Sequence, residues 1–177
     1  MVIVDNNILS SLAKANRLDL LEKLFEEVRT TPEVMHEFRD EAIIGYEFVE
    51  NVERVKTYSN NDERWLRIVS PTKQENEQKE KFTEKKEGIS HADAECLSVA
   101  LNRDEALLTD DFRLGKVAKQ NGIDVYDLET FLLACVKQKI LYKPDEAKEI
   151  IKKIEEKDFY TFSESFIESF FKKIDLD

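Results

Sequence analysis

The chain has 177 residues, 41% of them hydrophobic and 37% charged, with a formal net charge of −11. This length suits a single domain with a sizeable core, and no apolar run approaches the roughly 18 residues that span a bilayer. Such an acidic balance excludes a surface that is basic throughout, so a nucleic-acid partner has to be met by a local patch or through bound cations.

The N-terminus lacks the basic region of a signal peptide and carries Asp5. Cys96 and Cys135 both fall in apolar helical patterns, so they are expected to be reduced core residues of a cytoplasmic protein rather than a disulfide or metal pair.

In chain order, Val2-Ile3-Val4 reads as a buried parallel strand, a continuous β-branched run. Asp5-Asn6-Asn7 follows at once, and Ile8, Leu9, Leu12 and Ala13 keep helical spacing. Leu18, Leu21, Phe25 and Val28 predict a second helix, and Thr31-Pro32 opens a third with Val34 and Phe38 on its buried face. Residues 43–63 read as a weaker helix and a polar turn. Trp65 to Val69 reads as a short edge strand ended by Ser70-Pro71. From Lys73 to Glu87 come five lysines and five glutamates, with Glu75→Lys79 and Glu77→Lys81 at i, i+4, which predicts an exposed helix or mobile lid.

Gly88-Ile89-Ser90-His91 leads into a helix carrying Ala92, Cys96, Val99 and Ala100. Ala106 to Thr109 is a second buried strand, followed by Asp110-Asp111 and a helix with Leu114, Val117 and Ala118 that Gly122 stops. Ile123 to Tyr126 is a third strand, and Asp127 opens an apolar helix from Leu128 to Val136. Two amphipathic helices follow near 144–157 and 163–174. Strands alternating with helices predict an α/β domain, a parallel sheet covered on both faces.

Four acidic positions share a setting. Asp5 and the Asp110-Asp111 pair follow predicted strands, and ligands of open α/β sheets bind outside the carboxyl ends of strands. Glu37 and Asp93 lie on helices that pack beside those ends. Each has a plainer reading: Asp5, Asp110 or Asp111 as helix N-caps, Ser90-x-x-Asp93 as a capping box, Glu37 as a surface acid. Together, crowded carboxylates call for a cation, and oxygen ligands without a Cys or His cluster suit Mg²⁺ or Mn²⁺. That chemistry points to metal-assisted phosphodiester hydrolysis. No glycine-rich phosphate loop is present, and His36 and His91 are too few for a zinc site.

These residues resemble the PIN-domain family of metal-dependent ribonucleases. Val2 to Asn7 is similar to the family's first acidic motif, Pro32-x-Val34-x-x-Glu37 to its second, Asp93-Ala94-Glu95 running to Ala100 to its third, and Leu107 to Asp111 to its fourth. The resemblance implies a three-layer α/β/α fold over one domain, residues 1–135 forming the core and 136–177 a C-terminal helical extension. It implies Asp5, Glu37, Asp93 and Asp111 as catalytic metal ligands with Asp110 in reserve, and Asn7 and Thr109 as hydrogen-bonding supports. Asn6 stands where the family commonly has Thr or Ser. Gly115 stands where this branch often has Arg, which moves the expected phosphate contact to Arg113 or Lys116. The resemblance further implies a VapC-type toxin that cleaves RNA, a small antitoxin partner and a homodimer. The rivals are a PIN-fold scaffold without catalysis and a phosphatase-like hydrolase with Asp5 as nucleophile.

Overall fold

The sheet is built from six short parallel strands: β1 (Val2–Val4), β2 (Val28–Thr30), β3 (Lys56–Thr57), β4 (Leu66–Ile68), β5 (Ala106–Leu108) and β6 (Val125–Tyr126). The computed structural model describes residues 1–44, 47–59, 62–84 and 88–175, and within them the strand order is β3-β4-β2-β1-β5-β6. β1 is central and wholly buried, which is why Val-Ile-Val suits it. Its register sets Val2 beside Val28 and Ala106, and Val4 beside Leu108. From β1 the chain lays β2 beside it, then the outer strand β3, inserts β4 between β2 and β3, and crosses back to lay β5 and β6 on the other side. Winding therefore reverses between β1 and β5, and a crevice opens at the carboxyl ends of strands at such a reversal.

Among the described residues ten helices flank the sheet: α1 (Asn6–Lys14), α2 (Asp19–Leu24), α3 (Pro32–Ile44), α4 (Val49–Val55), α5 (Lys73–Glu84), α6 (His91–Arg103), α7 (Phe112–Gln120), α8 (Leu128–Lys137), α9 (Pro144–Asp158) and α10 (Glu164–Asp175). The result is a three-layer α/β/α fold. The C-terminal helices are tied to α1 and the loop after it by polar contacts. Asp158 accepts from Lys14 (2.6 Å) and from the Ser11 hydroxyl, and Arg17 pairs with Glu146 at 2.9 Å. Beyond α9, Tyr160, Phe162, Phe166 and Phe170 stack in sequence, with successive ring centroids 4.7, 5.0 and 5.1 Å apart. Cys96 and Cys135 are free and buried, and burial pushes the Cys135 thiol up to about 12.

Three expectations are corrected. The second helix ends at Leu24: Phe25 is extended (φ −114°, ψ 139°), and Val28 belongs to β2, held by pairing with Val2. Leu66–Ile68 is an interior strand, because Lys56–Thr57 pairs along its outer side. The charged run is not simply solvated. α5 packs on α6, Phe82 is buried, and Glu75 takes the Arg103 guanidinium at 2.7 and 3.0 Å and the Thr72 N–H at 2.6 Å. Burial works to raise the pKa of Glu75, but those bonds outweigh it and hold the carboxyl below its ordinary value. Lys79 turns inward to Glu33 and Glu95, both at 2.9 Å, and Glu95 also accepts from the Glu33 N–H at 3.0 Å, linking α3, α5 and α6. Residues 85–87 of that run lie outside the described residues.

Neighbouring glutamates of one run thus have different duties. Glu75→Ala breaks a buried pair and is expected to lower unfolding stability by about 3 kcal/mol. Glu77→Ala, on the exposed side with Lys73 at 3.8 Å, is expected to stay within about 0.5 kcal/mol of the parent. Urea unfolding of both variants checks the contrast.

Candidate active site

Asp5 is the first residue past β1, and its N–H still donates to Leu108 O at 3.2 Å. Its backbone is extended (φ −81°, ψ 177°), so it caps α1, with Oδ1 accepting from the Ile8 N–H at 3.0 Å. Oδ2 accepts from the Thr109 hydroxyl. That hydroxyl also accepts from the Asp111 N–H at 3.0 Å, so one oxygen joins the end of β1 to the loop after β5. Asp5 is only 2% exposed. Burial drives its pKa from the ordinary 3.8 up to about 7, against the two hydrogen bonds, and the charges of Asp93 and Asp110 push the same way.

Asp110 is half-buried across the reversal. Its Oδ1 accepts from the Leu128 N–H at 3.1 Å and from the Tyr160 hydroxyl at 3.4 Å. Burial raises this carboxyl to about 6, Asp127 and Glu129 add to the rise, and the two hydrogen bonds oppose it. Tyr160 is a contact that sequence reasoning missed, since no spacing rule links it to a loop fifty residues earlier. Asp111 caps α7 through Leu114 N–H at 2.7 Å. Asp93 closes a full capping box: its N–H donates to Ser90 Oγ at 3.0 Å, and its Oδ2 accepts from the Ser90 N–H at 2.8 Å. Both acids therefore serve as helix caps, and the charge of Asp93 still reaches Asp5.

The other candidates are set on the surrounding helices. Glu37 is half-buried on α3, which packs on α1 and α6. Asn7 is exposed and its side chain makes no hydrogen bond among the described residues, while Asn6 accepts from Ser10 at 3.2 Å. Arg113 lies across Gly88: a Cβ at Gly88, where φ is +74°, would come within 2.9 Å of the guanidinium. Lys116 lines a cleft of about 540 Å³ whose walls include Thr109, Asp110, Asp111, Phe112, Gly115 and Asp127. At Gly115 an added Cβ would meet only Val125 Cγ1, at an ordinary 3.6 Å.

Among the described residues, no three His, Cys, Asp or Glu side chains already surround one point closely enough to hold a metal ion. The donor chemistry nevertheless fits a hard divalent cation, because the donors are carboxylate oxygens and the charge crowded onto Asp5 is relieved by positive charge. Hydrogen bonds occupy one oxygen each of Asp93 and Asp111 and leave the other outside the cap.

Fold and site together define a class: three-layer α/β domains whose acidic residues gather at the winding reversal of a parallel sheet. Within that class the chain belongs to the PIN-domain family. The family model DUF3368, described as a PIN domain, matches residues 1–175. The fold is therefore of the nuclease type. No curated protein and no solved structure gives a match. No helix among the described residues is long and apolar enough to cross a membrane.

Two outcomes are expected. The native state keeps a proton on Asp5 up to about pH 7, whereas the unfolded chain releases it near 3.8. The stability this group contributes is fully present below 3.8 and is lost as pH rises through 7. Asp5→Asn should therefore gain on the parent between pH 4 and 8, by up to about 4 kcal/mol in unfolding measurements. Gly115→Ala adds a favourable helix residue without a clash and should raise stability by about 1 kcal/mol in the same assay.

Proposed function

We propose that this chain is a Mg²⁺- or Mn²⁺-dependent endoribonuclease acting through Asp5, Glu37, Asp93 and one member of the Asp110-Asp111 pair. The observation that supports it best is Asp5 itself: a buried carboxyl at the winding reversal, pushed to about 7 by burial and by two further acids. Structural caps alone do not call for such crowding. A bound ion would supply charge for the phosphoryl transition state and acidify a water.

The chain's own residues do the rest. Thr109 and the Ile8 N–H fix both oxygens of Asp5, so its orientation is set before any ligand arrives. The Asp110 charge acts on Asp5, which favours Asp110 for the fourth place, with Tyr160 and the Leu128 N–H holding it. Asp111 ties the start of α7 to that loop, and Lys116 offers a phosphate contact from the cleft wall. A toxin role with a small antitoxin partner, a homodimer and a cytoplasmic setting complete this reading. Asp5 as a phosphatase-type nucleophile is disfavoured, because it is buried and both its oxygens are hydrogen-bonded.

The purified chain should cut single-stranded RNA with Mn²⁺ or Mg²⁺ and stop in EDTA. Asp5→Asn should lose about 100-fold or more of that activity, the scale of removing one electrostatic element from an active site, with its circular dichroism unchanged. A second reading, a PIN-fold scaffold, draws on the capping roles of Asp93 and Asp111. Absence of cleavage across a broad RNA panel, with no rise in melting temperature in millimolar Mn²⁺, would select it.

A further inference from the structure

On α7 the buried stripe is Leu114, Gly115, Val117 and Ala118. Phe112 is off that stripe and 83% exposed, although most large apolar side chains of this protein are buried. Phe112, Gly115, Lys116, Lys119 and Gln120 follow one another at i, i+3, i+4, i+7 and i+8, so they share one helical face, and all of them line the cleft beside Asp110 and Asp111. Gly115 itself is buried against Val125, so Phe112, Lys116, Lys119 and Gln120 are the exposed members of that face. Neither Lys116 nor Lys119 has a carboxylate within 4 Å among the described residues, whereas Lys14, Lys79 and Arg103 are all drawn into ion pairs. The acids of the cleft are Asp110, Asp111 and Asp127, and Asp111 directly precedes Phe112. Asp111 and Asp127 cap α7 and α8, where helix N-termini offset part of their charge.

We propose that this face is a track for an unpaired stretch of nucleic acid, with Phe112 as the platform on which one base stacks and Lys116 and Lys119 as contacts to the phosphates leading away from it. An exposed ring presents a flat apolar surface that an unstacked base can cover, whereas bases within a duplex already stack on each other. The cations stand one and two turns beyond the ring, up to ~10 Å along the helix axis, and supply local positive charge in a chain of net charge −11. The two lysines call for an anionic partner, and an exposed ring at their head suits one that carries unstacked bases. The proposal rests on the nuclease reading only in placing nucleic acid in this cleft. It adds Phe112 and Lys119, which fix where a base and its neighbouring phosphates lie relative to Asp110.

The test is binding in EDTA, so that no turnover is needed. The full chain is titrated into a fluorescently labelled, unstructured ten-nucleotide RNA and into the same sequence annealed as a duplex, and anisotropy is read. The parent should prefer the single strand. Phe112→Ala should weaken binding roughly 5- to 150-fold, the range for one base stacked on one aromatic, while Phe112→Tyr should retain it. Lys116→Ala and Lys119→Ala should each lower the slope of log affinity against log salt by about 0.7. With an abasic nucleotide scanned along the RNA, one position should weaken the parent and leave Phe112→Ala no weaker than it already is. No binding by the parent, equal affinity of Phe112→Ala, or equal loss in Phe112→Ala and Phe112→Tyr would overturn the proposal. Because Phe112 is exposed, its replacement does not threaten the fold. Cleavage is scored separately with Mn²⁺: a chain that binds through Phe112 but never cuts refutes the nuclease reading alone, and one that cuts with Phe112→Ala binding unchanged refutes the track alone.

Discussion

A carboxylate cannot be buried without partners, and Asp5 is buried where the winding of the sheet reverses. Its two oxygens are met by the Ile8 N–H and the Thr109 hydroxyl, and the same hydroxyl takes the Asp111 N–H. Four elements are joined through this one group: β1 ends at it, α1 starts from it, β5 reaches it through Thr109, and α7 begins one residue beyond the hydroxyl's second bond. The arrangement also explains how an acid with a strongly raised pKa is tolerated in the fold. Hydrogen bonds offset part of the cost of burial, and the remainder stays as a shifted titration.

The acidic surface is handled by the same economy of partners. Glu75, Glu95 and Asp158 are each buried or half-buried against a cation that comes from far along the chain, and each pairing stitches helices together. Two lysines of α7 are left out of this scheme. A net charge of −11 therefore says little about the cleft, where the local balance is set by a few residues.

The strands β1, β5 and β6 and the helices after Pro32, Ser90, Asp111 and Asp127 were legible because each has its own punctuation: a β-branched or leucine run, a cap, a stopping glycine. β2 was hidden because Val28 falls in step with Leu18, Leu21 and Phe25, and only pairing with β1 decides that it is a strand. The two residues of β3 leave no periodic trace, so β4 looked like an edge. The charged run was misread for a related reason. Spacing of i, i+4 can propose Glu75 with Lys79, but it cannot see Arg103 twenty-eight residues away. The acids of the site were visible as residue types at strand ends. Of their partners, the resemblance named Thr109, which meets Asp5, and Asn7, whose side chain makes no hydrogen bond among the described residues; Tyr160 meeting Asp110 is a product of tertiary closure that no spacing reveals.

The fastening of the C-terminal helices has a consequence for the order in which the protein matures during translation. Asp158 clamps α1 through Lys14 and Ser11, and Tyr160 supplies one of the two donors to Asp110. A ribosome releases the first-made residues into solution well before these two positions have been polymerised. The sheet can assemble from the earlier part of the nascent chain, yet α1 gains its clamp and the crevice its Tyr160 donor only when residues 158–160 emerge from the exit tunnel.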